Sequence, residues 1–226
     1  VQASTRGDGL TGEDVTQNIR TVDAVPLRLR ADERPIPDTL IIRGEVFLTK
    51  EEFARINKEQ ANKSEKIYAN PRNFAAGTIR QLDPSVTAGR KLSFYGYNIV
   101  GEDGTYGEKF DTHEDEYIAL NAWGIGTNPN GQVVDTPKEV IAFWKAWQDK
   151  RDKLDYEFDG VVISLNNNDT YRQAGVIGKS PRGAIAFKFS PKSAQTIVED
   201  IQVQVGRTGV LTPVAHLKPI SIGGTT

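Results

Sequence analysis

The chain has 226 residues, 38% hydrophobic and 26% charged, with a net charge of −2. This is the balance of a globular chain, and no apolar run approaches the roughly 18–20 residues of a membrane span. The lack of Cys excludes disulfides, thiolate metal sites and a Cys nucleophile, and two His are too few for an imidazole zinc site.

A net charge of −2 gives no bulk attraction for nucleic acid, so any such function needs basic residues gathered on one face. There is no start Met, and the chain closes on an unfinished-looking SIGGTT, so the sequence reads as part of a larger machine.

Val1 to Thr5 alternate apolar and polar, which predicts a strand ended by the turn Arg6-Gly7-Asp8-Gly9. A second strand is expected at LIIRGEVFL (40–48). Thr49 and Glu52 then form a capping box that opens a helix over 49–61. Another strand follows at LSFYGYNIV (92–100).

Thr112 with Asp115 opens a second helix, with Tyr117, Ile118, Leu120 and Trp123 on one side and Gly124 as its stop. Thr136, Pro137 and Glu139 start a third, whose buried stripe is Val140, Ile141, Phe143, Trp144 and Trp147. GVVISL (160–165) and AIAFKF (184–189) are strands. Beyond Pro191 two more strands, joined through Arg207-Thr-Gly209, run without a helix between them, so a boundary falls near 192–195. Two strands cannot close a barrel.

Several side chains in this frame carry chemistry. Glu45 shares a strand face with Ile41, Arg43 and Phe47; a carboxylate there needs a cation such as Arg43 or a ligand such as a ribose hydroxyl. Lys188 shares a face with Ala184 and Ala186, which leaves room for a phosphate, although a lysine reaching past a sheet edge has the same pattern.

Arg72 and Arg80 stand eight residues apart; a helix over 73–81 would turn both guanidiniums the same way, toward successive phosphates or simply toward solvent. Asp159-Gly160 is either a turn or a carboxylate at a strand mouth, suited to a metal or an orienting hydrogen bond. Tyr95 and Tyr97 share a strand face, and either could stack on a base or pack in the core. Arg207, bracketed by glycines in a hairpin, is a weak phosphate contact.

Taken in order, TRGDGLTGEDVTQNIRT, RGEVF, ANPRNFAAGTIRQLDP, DGVVI, AFKF and VGRTGVLTPVA resemble bacterial NAD-dependent DNA ligases over essentially the whole chain. The resemblance implies an α+β nucleotidyltransferase fold of the DNA ligase and mRNA-capping type. That fold has mixed, largely antiparallel sheets with flanking helices, in an adenylation domain over 1–193 that lacks its N-terminal part. The first strands of an OB-fold β-barrel follow over 194–226.

The implied activity takes AMP from NAD onto an enzyme lysine, passes it to the 5′-phosphate of nicked double-stranded DNA and seals the nick with Mg²⁺. The implied setting is the bacterial cytoplasm and nucleoid, without a membrane. Zinc belongs only to a C-terminal part of full-length relatives, and no metal ligand is assigned here.

Residue by residue, Arg6 matches a nucleotide-contacting arginine, Glu45 the glutamate on the AMP ribose and Tyr97 the adenine platform. Arg72 and Arg80 match arginines near the phosphates and the nicked DNA, and Arg207 falls in the part of the OB-fold that would grip the DNA backbone. Arg151 and Asp159 match a polar pair beside the active site, and Lys188 the lysine on the α-phosphate.

The chain departs from the family in three ways. The nucleophilic lysine of the family's Lys-x-Asp-Gly motif is not in this chain, Ser164 stands where the family has a phosphate-contacting lysine, and Gly183 stands where it has a tryptophan. The first departure predicts that this polypeptide alone is inactive, and the third that local packing is looser. A non-catalytic nucleotide- or DNA-binding remnant of a ligase gene is the alternative. An ATP-dependent ligase or capping enzyme fits less well, because the longest motifs belong to the NAD-using branch.

Overall fold

A computed structural model describes residues 1–9, 11–32, 34–101, 110–178, 180–190 and 193–220; SIGGTT lies outside the described residues. The chain divides into two units, Val1–Phe189 and Ser190–Thr226. Among the described residues the architecture is mixed α+β, with four two-stranded antiparallel sheets and no barrel.

The expected N-terminal strand is reduced to an isolated bridge between Ser4 and Asp14. The Thr5 amide donates to the Glu13 carbonyl at 2.9 Å and Val15 to Ala3 at 3.0 Å. The facing segment turns into helix α1 (Thr16–Ile19) immediately afterwards, so the ladder runs out of extended partner.

Strand β1 (Ile41–Phe47) leads into α2 (Lys50–Asn62). Thr49 caps α2 by accepting from the Glu52 amide at 3.2 Å. The reciprocal half of the expected capping box gives way to other partners: the Glu52 carboxylate accepts from Arg55 Nε at 2.7 Å and from the Lys91 amide at 3.2 Å.

Helix α3 (Pro71–Thr78) is capped by Asn70 and stops before Arg80. The short α4 (Pro84–Ala88) then delivers the chain to β2 (Ser93–Val100), which pairs with β1. Helix α5 (His113–Ala122), capped by Thr112, packs on β2 and buries Ala119, Leu120 and Trp123 with Ile99 and Ile125. Ile118, expected on that stripe, is 57% exposed, because it stands two positions, about 200° of helix turn, from both Glu116 and Leu120, which are fully buried. A second core gathers Ile19, Leu48, Ile56, Phe74 and Leu92.

Helix α6 (Pro137–Lys150) carries the complete capping box of Thr136 and Glu139. It packs against β3 (Gly160–Ser164), which pairs with β6 (Ala184–Lys188), and Trp144 stacks on Phe187 at 4.5 Å. The expected buried stripe is only half-buried, and Ile141 is exposed. A two-stranded sheet is too narrow to cover a whole helix face. Between these strands lie α7 (Asn168–Ala174) and the two-residue strands β4 (Val176–Ile177) and β5 (Ser180–Pro181).

In the second unit, β7 (Val198–Val205) and β8 (Leu211–Leu217) form a hairpin. Its turn is closed by the Gly206 amide on the Val210 carbonyl at 2.8 Å, with Arg207 inside it.

Candidate functional site

Strand β1 turns alternate residues outward: Ile41, Arg43 and Glu45 are exposed, whereas Leu48 just beyond the strand is buried. The backbone beside Glu45 is pressed close, since a Cβ on Gly44 would stand 2.0 Å from the Phe94 ring. Among the described residues no hydrogen bond or ion pair reaches the Glu45 carboxylate.

On β2, Tyr95 faces Glu45 in register. The ladder then skips: Gly44 pairs with Gly96 and Arg43 with Asn98, so Tyr97 is the extra residue of a β-bulge. A bulge re-aims the side chain it carries. Tyr97 stays 44% exposed, whereas Tyr95 packs on Phe47 at 4.9 Å. The two tyrosines left open by the sequence thus divide, with Tyr95 taking the packing role and Tyr97 the accessible one.

Strands β3 and β6 bring the charged residues together. Gly160 pairs with Lys188, and Lys188 Nζ donates to Asp159 Oδ2 at 3.0 Å. Arg72 Nη1, carried in the first turn of α3, lies 4.0 Å from the same oxygen. The Lys188 hydrogen bond, aided by the charges of Lys188 and Arg72, holds Asp159 below the usual carboxylate range. One carboxylate between two exposed cations leaves a net positive cluster, which suits an anion.

An aromatic row joins the two sheets. Lys50 Nζ donates to the carbonyls of Asp152 and Leu154 at 3.0 and 2.6 Å, and the Lys50 amide to that of Asp155 at 2.6 Å. This ties down the segment that lays Tyr156 on Phe47 at 5.1 Å. Tyr156 continues to Phe158 at 6.0 Å, and Phe158 to Phe189 at 5.4 Å. The Arg151 guanidinium lies 5.7 Å from the Phe189 ring, one residue beyond Lys188.

Not every expected pairing forms. Because α3 ends at Thr78, Arg80 is outside the helix and pairs with Glu13 at 2.9 Å, while Arg72 turns to Asp159. Arg6 is exposed ahead of the Gly7 turn, and Arg207 is exposed in the hairpin turn of the second unit. Ser164 pairs with Ala184 across the sheet. Gly183 is buried, and a Cβ there would stand 2.5 Å from the Tyr171 ring. The looser packing expected at Gly183 is therefore not found, because Tyr171 fills the space.

Sequence reasoning missed Glu116, which is 0% exposed. Its Oε2 accepts from Asn98 Nδ2 at 3.1 Å and the Ile99 amide at 3.0 Å, and its Oε1 from Asn168 Nδ2 at 2.9 Å. The signal was its place on the stripe with Leu120 and Trp123, four and seven residues on. Next to it, burial pushes the Tyr117 phenol up, and the Glu116 carboxylate and Tyr97 phenol add to the effect.

Two surface hollows of about 580 and 480 Å³ are lined by none of the sequence-predicted site residues. The first is walled by Asp111 and Asp115 as well as Arg34. Carboxylates there disfavour a phosphate, so the sheet-borne cluster is the better anion site. Among the described residues no group of three or more Asp, Glu or His converges to hold a metal, and no helix is long and apolar enough to cross a membrane.

Comparison with known proteins adds a second line. Residues 1–192 match the NAD-dependent DNA ligase adenylation domain and residues 195–226 the NAD-dependent DNA ligase OB-fold domain. The chain is 46% identical over 225 residues to a DNA ligase of Salinibacter ruber, covering 99% of the chain and 32% of that protein. It is 44% identical to a DNA ligase of Bacillus cytotoxicus, covering 100% of the chain and 32% of that protein. It is 48% identical to a DNA ligase of Heliobacterium modesticaldum, covering 100% and 33%. The chain thus spans about a third of the length of these curated relatives.

Proposed function

The chain belongs to the NAD-dependent DNA ligase family, and from that premise we propose that it binds the adenylate of NAD within a ligase that seals nicks in duplex DNA. Residues 1–193 act as adenylation domain and 194–226 as the start of an OB-fold that grips DNA, at work on nucleoid DNA in the bacterial cytoplasm. The observation that carries this reading is the net positive cluster of Lys188, Asp159 and Arg72 at the mouth of β3 and β6.

In this reading Lys188 contacts the α-phosphate as a point charge, and Asp159 holds its ammonium in place. Glu45, an outward carboxylate without a protein partner among the described residues, accepts from the ribose hydroxyls. Tyr97, pushed out by the bulge, stacks on adenine. Arg6 and Arg151 support the nucleotide, and Arg72, Arg80 and Arg207 contact DNA phosphates.

The ligase reaction joins a lysine nitrogen to the α-phosphorus of NAD as nicotinamide mononucleotide leaves, passes the AMP to a DNA 5′-phosphate, and ends when the 3′-hydroxyl displaces AMP. Mg²⁺ belongs to this chemistry. At the phosphates the chain itself would bring the exposed cations Lys188 and Arg72. These 226 residues contain no Lys-x-Asp-Gly, so by themselves they bind adenylate without becoming adenylylated.

Calorimetric titration of AMP into the chain tests the reading. Lys188→Ala and Tyr97→Ala are each expected to weaken binding about ten-fold or more, the range for losing a charge-assisted contact or a stacked base. Unchanged affinity in both variants overturns the assignment. A stoichiometric AMP adduct after incubation with labelled NAD overturns the claim that these residues alone are not adenylylated.

A further inference from the structure

The buried carboxylate of Glu116 ties two parts of the proposed site together. Its Oε2 accepts from Asn98 Nδ2 and from the Ile99 amide, the two residues that follow Tyr97 out of the β-bulge. Its Oε1 accepts from Asn168 Nδ2, at the start of α7, four residues beyond Ser164 on β3. His113 Nδ1 lies 3.4 Å from Oε2. Among the described residues Asn98 Oδ1 is buried without a hydrogen-bond partner, and it is the bond to Glu116 that fixes which way that amide faces. A flipped Asn98 would set its oxygen against the carboxylate.

The bonds to Asn98 and Ile99 hold the backbone immediately after the bulge, and a bulge re-aims the side chain it carries. We propose that Glu116 is a positioning residue: it fixes the bulge so that the Tyr97 ring stands ready for adenine, and it locks β2 to the segment after β3. The proposal rests on the adenylate role given above to Tyr97. A carboxylate is needed because three N–H donors converge on it. A glutamine offers one acceptor oxygen and presents its own N–H₂ to at least one of them, so the clamp opens at one end.

The test is a double-mutant cycle on the 226-residue chain, read by calorimetry with AMP and with ribose 5-phosphate, which lacks the base. Glu116→Gln is expected to weaken AMP binding about ten-fold and to leave ribose 5-phosphate binding unchanged; placed on Tyr97→Ala it adds less than about two-fold. The near-ultraviolet difference signal from adenine stacked on a phenol shrinks in step.

Should Glu116→Gln fail to fold, Asn98→Ala carries the test. It keeps the Ile99 bond and is expected to give the same base-dependent pattern at about three-fold. Equal losses for the two ligands, or the full loss on the Tyr97→Ala background, overturn the positioning role and leave the adenylate reading standing. AMP affinity that ignores Tyr97→Ala overturns the adenylate reading itself.

Discussion

The chain holds two antiparallel pairs of nearly the same size, β1–β2 and β7–β8, each with one register shift. In the first pair Gly96, Asn98, Ile99 and Val100 are buried, and α5 lies against β2. In the second every residue of β7 is exposed, with Ile201, Val203 and Val205 at 61–69%, and on β8 only Val214 is half-covered. Alternation along a strand says which face seeks cover. Whether it is covered depends on a helix or second sheet elsewhere in the chain.

The contrast is broken most directly at its covered end. Leu120→Ala deletes a fully buried side chain and is expected to cost about 3 kcal/mol or more in urea unfolding of the first unit. Val203→Ala in the exposed hairpin is expected to change stability by less than about 0.5 kcal/mol. Equal effects would mean that the hairpin is covered in solution.

An intermediate effect is expected at Gly183, where an added Cβ meets the Tyr171 ring. Gly183→Ala should destabilise by about 1–3 kcal/mol as Tyr171 is forced aside. Removing the ring in the Tyr171→Ala background should abolish that cost, which a thermal melt of the double variant checks.

A small, pH-dependent effect belongs to the exposed ion pair at the mouth of β3 and β6. Because Asp159 titrates below its ordinary range in the folded chain, the pair it makes with Lys188 adds stability above about pH 4. That stability is lost as the pH falls through the lowered value. Both side chains are mostly exposed, so the increment is below about 1 kcal/mol and shrinks in salt. Asp159→Asn should flatten this part of the pH profile of the urea midpoint.

Much of the fold was legible from local chemistry. The caps at Thr49, Thr112 and Thr136 each open a helix where they stand in the sequence, and the strands around Glu45, Tyr97, Val162 and Lys188 begin and end within a residue or so of their expected limits. What escaped depends on partners distant in sequence. Arg72 and Arg80 were paired by helical spacing, yet the helix ends between them and each finds its own carboxylate. The bulge at Tyr97 has no local signature, because it arises from the register of β1 against β2. Glu116 was passed over as a charge, although its spacing put it among apolar residues.

The hold of Lys50 on the carbonyls of Asp152 and Leu154 spans more than a hundred positions. During synthesis, then, the start of α2 and the ring of Phe47 leave the ribosome long before the segment that will cover them. The apolar edge of the row stays bare until Tyr156 emerges, so this closure comes late in folding and depends on translation running well past the first sheet.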